Sequence, residues 1–299
     1  MAALGRLSTL GLDTVGRAVR MPPVPVLPSG RTVDLPGRGP TYVVDTGPLT
    51  APDGTPAPTV FLMHALACSG LLTWYPSLDA LRKRYRLVIF DQRWHAQGIR
   101  SPRFDLDDCA DDIVAVADAL SIDRFVAAGY SMGSLVSQLA WRRHPDRVAG
   151  LVLAASTTHF AATPRRSRPV AAAGARLGRA AVTERLAIAE TIDEDMDSRW
   201  AWRQFRSTTG REVAAAGSVI AGFDSRPWVD QVNVPVAVVV TGRDRLLPPA
   251  RQRDLARRTG ATVYEIAAGH SACVLSADLF RPAMLAATAS VTGRARALR

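Results

Sequence analysis

The chain has 299 residues, a net charge of +10 and 47% hydrophobic residues. That apolar content is enough to bury a sizeable core, which excludes a disordered chain, and no run reaches the roughly 18 uncharged apolar residues of a membrane-spanning helix. The basic excess does not read as a nucleic-acid surface: Lys83 is the only lysine, and the arginines are spread along the chain instead of forming a stripe. Residues 1–20 are expected to form a short amphipathic helix with Arg6, Arg17 and Arg20. That basic segment suits a peripheral contact with an anionic membrane surface. No apolar segment with a small-residue cleavage site marks a secretory leader, so a cytoplasmic protein is expected. Residues 22–40 carry Pro22, Pro23, Pro25, Pro28, Pro36 and Pro40 and read as a linker or surface strap. Residues 1–40 together are taken as an N-terminal extension.

From residue 41 short apolar runs alternate with helical patterns. The runs are residues 41–45, 59–63, 86–90, 125–128, 151–154, 236–240 and 262–266. Several are free of charge, as strands buried on both faces of a parallel sheet are. Helices are expected over residues 71–85, 106–120 and 132–143, the last ending ahead of Pro145. This alternation predicts an α/β fold, a mostly parallel central sheet flanked by helices with right-handed crossovers. The rhythm breaks over residues 157–230, which are rich in Ala and Arg and show no clear strand. That stretch is expected to be a helical cap, inserted between core segments 41–156 and 231–299. Its aromatic residues Trp200, Trp202 and Phe205 would line a pocket or pack the cap itself.

A serine hydroxyl becomes a useful nucleophile when a histidine takes its proton and a carboxylate orients that histidine. Gly129-Tyr130-Ser131-Met132-Gly133 lies between a predicted strand and a predicted helix, the context a nucleophile elbow requires. The run 236–240 leads into Thr241-Gly242-Arg243-Asp244, and the run 262–266 leads into Ala268-Gly269-His270. Both groups therefore fall past strand ends, where open α/β sheets place their sites. The order Ser131, Asp244, His270 is the one expected for such a site. The three cysteines, Cys68, Cys109 and Cys273, match no zinc pattern and are expected as reduced thiols. The acidic cluster Asp105, Asp107, Asp108, Asp111 and Asp112 sits where carboxylates cap a helix. No flavin, nicotinamide or phosphate-loop fingerprint occurs, so neither metal nor cofactor is expected.

On these residues the chain resembles the α/β-hydrolase superfamily of esterases, lipases and peroxidase-like hydrolases, over about residues 41–290. Phe61-Leu62-Met63-His64-Ala65-Leu66 is similar to the family's oxyanion loop. Phe90-Asp91-Gln92-Arg93-Trp94-His95-Ala96-Gln97-Gly98, with Ser101-Pro102, is similar to its Asp-x-Arg-Gly-His-Gly-x-Ser block. Ala65, Trp94 and Ala96 stand where the family has glycine. The resemblance implies an oxyanion hole made by the backbone N–H groups of Leu66 and Met132, with His64 and His95 holding loops. It implies cleavage of a small-molecule or lipid carboxylic ester through an acyl-enzyme on Ser131. An acyltransferase or perhydrolase would use the same residues, and a non-catalytic ligand-binding protein of this fold is the reading from another class. Relatives with an Asp nucleophile, the dehalogenases and epoxide hydrolases, are excluded by Ser131.

Overall fold

The structure is a computed structural model and describes residues 21–160 and 196–298. Its centre is an eight-stranded sheet in the order β1-β2-β4-β3-β5-β6-β7-β8. The strands are β1 (Arg31–Leu35), β2 (Gly39–Asp45), β3 (Thr59–Met63), β4 (Arg86–Phe90), β5 (Phe125–Tyr130), β6 (Val148–Ala154), β7 (Val236–Thr241) and β8 (Thr262–Ile266). From β4 to β8 all neighbours are parallel, while β2 joins both β1 and β4 antiparallel. The helices are α1 (Gly70–Arg82), α2 (Leu106–Ala119), α3 (Met132–Arg143), α4 (Met196–Arg206), α5 (Gly210–Ile220), α6 (Pro249–Arg258), α7 (Ala272–Leu275) and α8 (Ala277–Ala297).

Alternation along each strand splits the core into two layers. Phe61, Val88, Leu151 and Val238 face one side and pack with Ile113 of α2 and Leu135 and Val136 of α3. Their neighbours Leu62, Ile89, Val152 and Val239 face the other, with Leu78 of α1 and Phe280 and Met284 of α8. Every residue of β5, β6 and β7 is buried, which is why these runs carry no charge. Asp105 caps α2 by accepting from the Asp107 N–H at 2.8 Å. Farther along α2, Asp112 is paired with Arg93 at 2.7 Å and with Arg38 at 2.8 Å, and Asp111 with Arg143 at 2.7 Å.

The N-terminal segment enters the core earlier than its proline content suggests. Residues 31–35, within the stretch 1–40 read as an extension, form edge strand β1. Only Val33 and Leu35 of β1 point inward. Gly37 at φ +72° and Gly39 at φ +102° make the tight return to β2. The helix expected over residues 1–20 lies outside the described residues, as do residues 161–195 of the expected cap. Helices α4 and α5 and a single 3-10 turn at Val229–Gln231 represent the cap stretch among the described residues. No helix among the described residues is long and apolar enough to cross a membrane.

Candidate active site

β5 ends at Tyr130 and α3 begins at Met132, leaving Ser131 alone on the turn at φ 52°, ψ −115°. A non-glycine residue held there stores roughly 1–3 kcal/mol of strain. The surrounding backbone enforces it. Ser131 N–H donates to Ala154 O at 2.9 Å, and Ser134 Oγ donates to Gly129 O at 2.7 Å. The two flanking glycines answer to crowding. A Cβ on Gly129 would sit 2.2 Å from the Gly133 carbonyl carbon, and one on Gly133 would sit 2.3 Å from Met63 O.

Asp244 follows β7 and His270 follows β8, and the fold brings both to Ser131. His270 Nδ1–H donates to Asp244 Oδ2 at 2.7 Å, which leaves Nε2 as an acceptor 3.0 Å from Ser131 Oγ. The Asp244 side chain is fully buried. Its Oδ1 accepts from the N–H groups of Leu246 at 2.9 Å and Leu247 at 2.8 Å, and its Oδ2 also accepts from Thr241 Oγ1 at 2.8 Å. Burial alone would raise the Asp244 carboxyl. The facing His270 and these donors outweigh it and hold the group below the usual carboxylate range.

Three residues that the sequence did not single out complete this arrangement. Tyr130 Oη donates to His270 O at 2.6 Å, fixing the backbone of the imidazole-bearing loop. Gln252 Nε2 donates to Thr241 Oγ1 at 2.8 Å and Leu247 O at 2.7 Å, and its Oε1 accepts from Thr241 N at 3.0 Å. The Thr241 hydroxyl proton is thereby directed at Asp244. The one signal for Gln252 was its spacing of three and four from Leu255 and Ala256, which puts it on the buried face of α6.

The loop after β3 carries Leu66, which lines the same cavity as Ser131 and Met132. Its left-handed residue is Ala67 at φ 66°, two positions after Ala65. Trp94 at φ 65° and Ala96 at φ 42° do adopt the left-handed conformation that favours glycine. Hydrogen bonds from Trp94 Nε1 to Ser101 O at 2.8 Å and from Ala96 N to Thr208 Oγ1 at 3.1 Å offset that strain. His64 Nε2 accepts from Gln92 N at 2.8 Å, and His95 Nδ1 donates to Arg93 O at 3.0 Å. Burial, with His95 alongside, pushes His64 down to about 3, and burial pushes His95 down to about 4. Both are neutral loop supports near pH 7.

Asp91 is a buried carboxylate that accepts from Gly70 N at 2.8 Å and Gln97 N at 3.0 Å. Burial outweighs these donors and pushes its carboxyl up to about 6. Native Asp91 therefore keeps a proton that the unfolded chain loses from about pH 4 upward. Its favourable contribution is complete below the unfolded value and is lost as pH rises through about 6. In Asp91→Asn, the slope of unfolding free energy against pH between about 4 and 6 is expected to become more positive, by up to about 1.4 kcal/mol per unit. Urea unfolding across that interval measures it.

Ser131 and His270 open on a cavity of about 100 Å³ whose other walls include Met21, Leu72, Phe160 and Phe205. Of the aromatic residues expected there, Phe205 lines it. Trp200 packs edge-on against Tyr75 with centroids 5.2 Å apart, and Trp202 stacks on Phe205 at 6.3 Å. No Asp, Glu, Lys or Arg occurs among its described lining residues.

The structure brings together a serine on a strand–turn–helix elbow, a carboxylate past the end of β7 and an imidazole past the end of β8 of a mostly parallel sheet. A family model described as alpha/beta hydrolase fold matches residues 58–277, and the chain belongs to that family. RutD of Caulobacter vibrioides, a protein named for carbamate hydrolysis, is 32% identical over 114 residues, 38% of this chain. That match spans 40% of the relative's own length. The pimeloyl-[acyl-carrier protein] methyl ester esterase of Vibrio atlanticus is 26% identical over 243 residues, 75% of this chain and 91% of its own. The enol-lactonase structure from Burkholderia xenovorans superposes with a TM-score of 0.67 at 23% identity, covering 86% of this chain and 99% of that one. That structural likeness bears on the fold.

Proposed function

We propose that the protein hydrolyses an uncharged small-molecule carboxylic ester through an acyl-enzyme on Ser131. The relay from Asp244 through His270 to the Ser131 hydroxyl, at 2.7 and 3.0 Å, carries this reading. His270 Nε2 takes the proton as Ser131 Oγ attacks the ester carbonyl, and Asp244 stabilises the resulting imidazolium. The Leu66 and Met132 N–H groups are the donors for the oxyanion. Met132 is at the first turn of α3, where a backbone N–H has no intrahelical acceptor. Collapse of the tetrahedral adduct releases the alcohol, which takes the proton from His270. Water then attacks the acyl-enzyme with His270 again as base, releasing the acid and restoring Ser131. The relative named as a methyl ester esterase is in keeping with acyl–oxygen cleavage.

The uncharged substrate is read from the described lining residues, among which no Asp, Glu, Lys or Arg occurs. A carboxylate set against that lining loses its water and gains no counterion from it, a cost of at least about 3 kcal/mol. The kcat/KM for methyl butyrate is therefore expected to exceed that for monomethyl succinate by about 100-fold or more. Acid release followed by pH-stat reads both. Equal rates would overturn the uncharged class, and no acid from any short-chain ester would overturn the reaction.

A further inference from the structure

We propose that Met21, delivered by the proline-rich N-terminal strap, is a specificity-determining wall of the substrate cavity and limits the apolar chain length of the ester it accepts. This rests on reading Ser131 as the acylated residue. Met21 precedes the sheet by ten residues, yet it is only 6% exposed and lines the cavity that holds Ser131 and His270. The strap is fastened along its length. Tyr75 Oη on α1 donates to Pro22 O at 3.1 Å, one residue from Met21. Val24 and Leu27 pack against the core layer that contains Leu72 and Tyr75. Gly30 N–H donates to Tyr42 Oη at 3.0 Å on β2, and a Cβ on Gly30 would sit 2.4 Å from the Tyr42 ring.

Proline fixes φ at Pro22, Pro23, Pro25 and Pro28, so the strap loses little freedom when it lies down. Tyr75 joins it to the cap as well, through the edge-on contact with Trp200 on α4. The same helix sends Ala201 and Phe205 into the cavity, and Leu72 enters from α1. Strap, α1 and α4 thus converge on one wall, and Met21 is the strap's contribution to it. Truncating Met21 to Ala removes three heavy atoms and opens roughly 90 Å³ more, room for two or three further carbons.

The test is a chain-length profile, taken on p-nitrophenyl esters of rising acyl length and on acetates of rising alcohol length. The full chain is used as wild type, Met21→Ala, Met21→Phe and Val26→Ala. Val26 lies on the strap but is 88% exposed, so its variant keeps the wild-type profile. In Met21→Ala the ratio of kcat/KM for eight carbons over four rises at least tenfold, and in Met21→Phe it falls below wild type. A shift in the acyl series assigns Met21 to the acyl chain, and a shift in the acetate series assigns it to the alcohol. Ratios within twofold of wild type for both Met21 variants in both series overturn the proposal. Binding separates this outcome from failure of the reaction itself. In a Ser131→Ala background, calorimetry with methyl octanoate and methyl butyrate needs no turnover. Met21→Ala there favours octanoate at least fivefold over its preference with Met21 intact, and an unchanged preference overturns the wall assignment.

Discussion

Ser131→Ala is expected to lower kcat for a short-chain ester by about 10⁴-fold or more while leaving the melting temperature near that of wild type. The hydroxyl's hydrogen bond to His270 Nε2 at 3.0 Å lies at the edge of the cavity, outside both core layers. Its removal therefore touches chemistry much more than packing. His270→Ala is expected to fall by the same order. The double variant should fall no further, because a nucleophile without its base and a base without its nucleophile fail at the same step. Steady-state kinetics on purified variants, beside thermal unfolding, measure this. Multiplicative losses in the double variant would mean that the two residues act independently.

Asp244→Asn is expected to cost about 10⁴-fold in kcat with KM little changed. The reason is the direction of protons. Wild-type Asp244 only accepts, from His270 Nδ1, Thr241, Leu246 and Leu247. An asparagine carries two protons that must go somewhere. Turned toward Leu246 and Leu247, its amide meets two N–H donors head-on. Turned toward His270, it donates to Nδ1 and forces the ring proton onto Nε2, where it cannot take one from Ser131. Thr241→Val, which removes the hydroxyl donor that Gln252 directs at Asp244, is a milder perturbation of the same network. The wild-type carboxylate also stabilises the fold. Its lowered folded pKa means that this contribution is complete above the unfolded value near 3.8 and is lost as pH falls through the folded one.

The elbow was legible because crowding at Gly129 and Gly133 leaves few residue types that fit. The apolar runs gave β3 and β4 with their observed bounds, because burial on both faces leaves a continuous pattern after the first residue. β6 starts at Val148, three residues before the run at 151–154, because Ala149 and Gly150 carry little hydrophobic signal. Gly150 is there for α8: a Cβ would sit 2.4 Å from Val291 Cγ1. β1 was hidden by its place at the sheet edge, where only two of its five side chains turn inward. Thr241 and Gln252 were hidden for a different reason. Their pairing exists only because α6 packs beside the end of β7, and no local pattern encodes that approach. Met21 was illegible for the same cause, since a proline-rich segment reveals its stiffness but not the groove it occupies.

The central claim is that Ser131 is the nucleophile that His270 activates. Reaction of the intact protein with an alkyl fluorophosphonate, followed by peptide mass spectrometry, tests it most directly. A single phosphonyl adduct on Ser131 is expected, formed at a rate that falls by orders of magnitude in His270→Ala. An adduct on another residue, or labelling of Ser131 at an unchanged rate without His270, would contradict it.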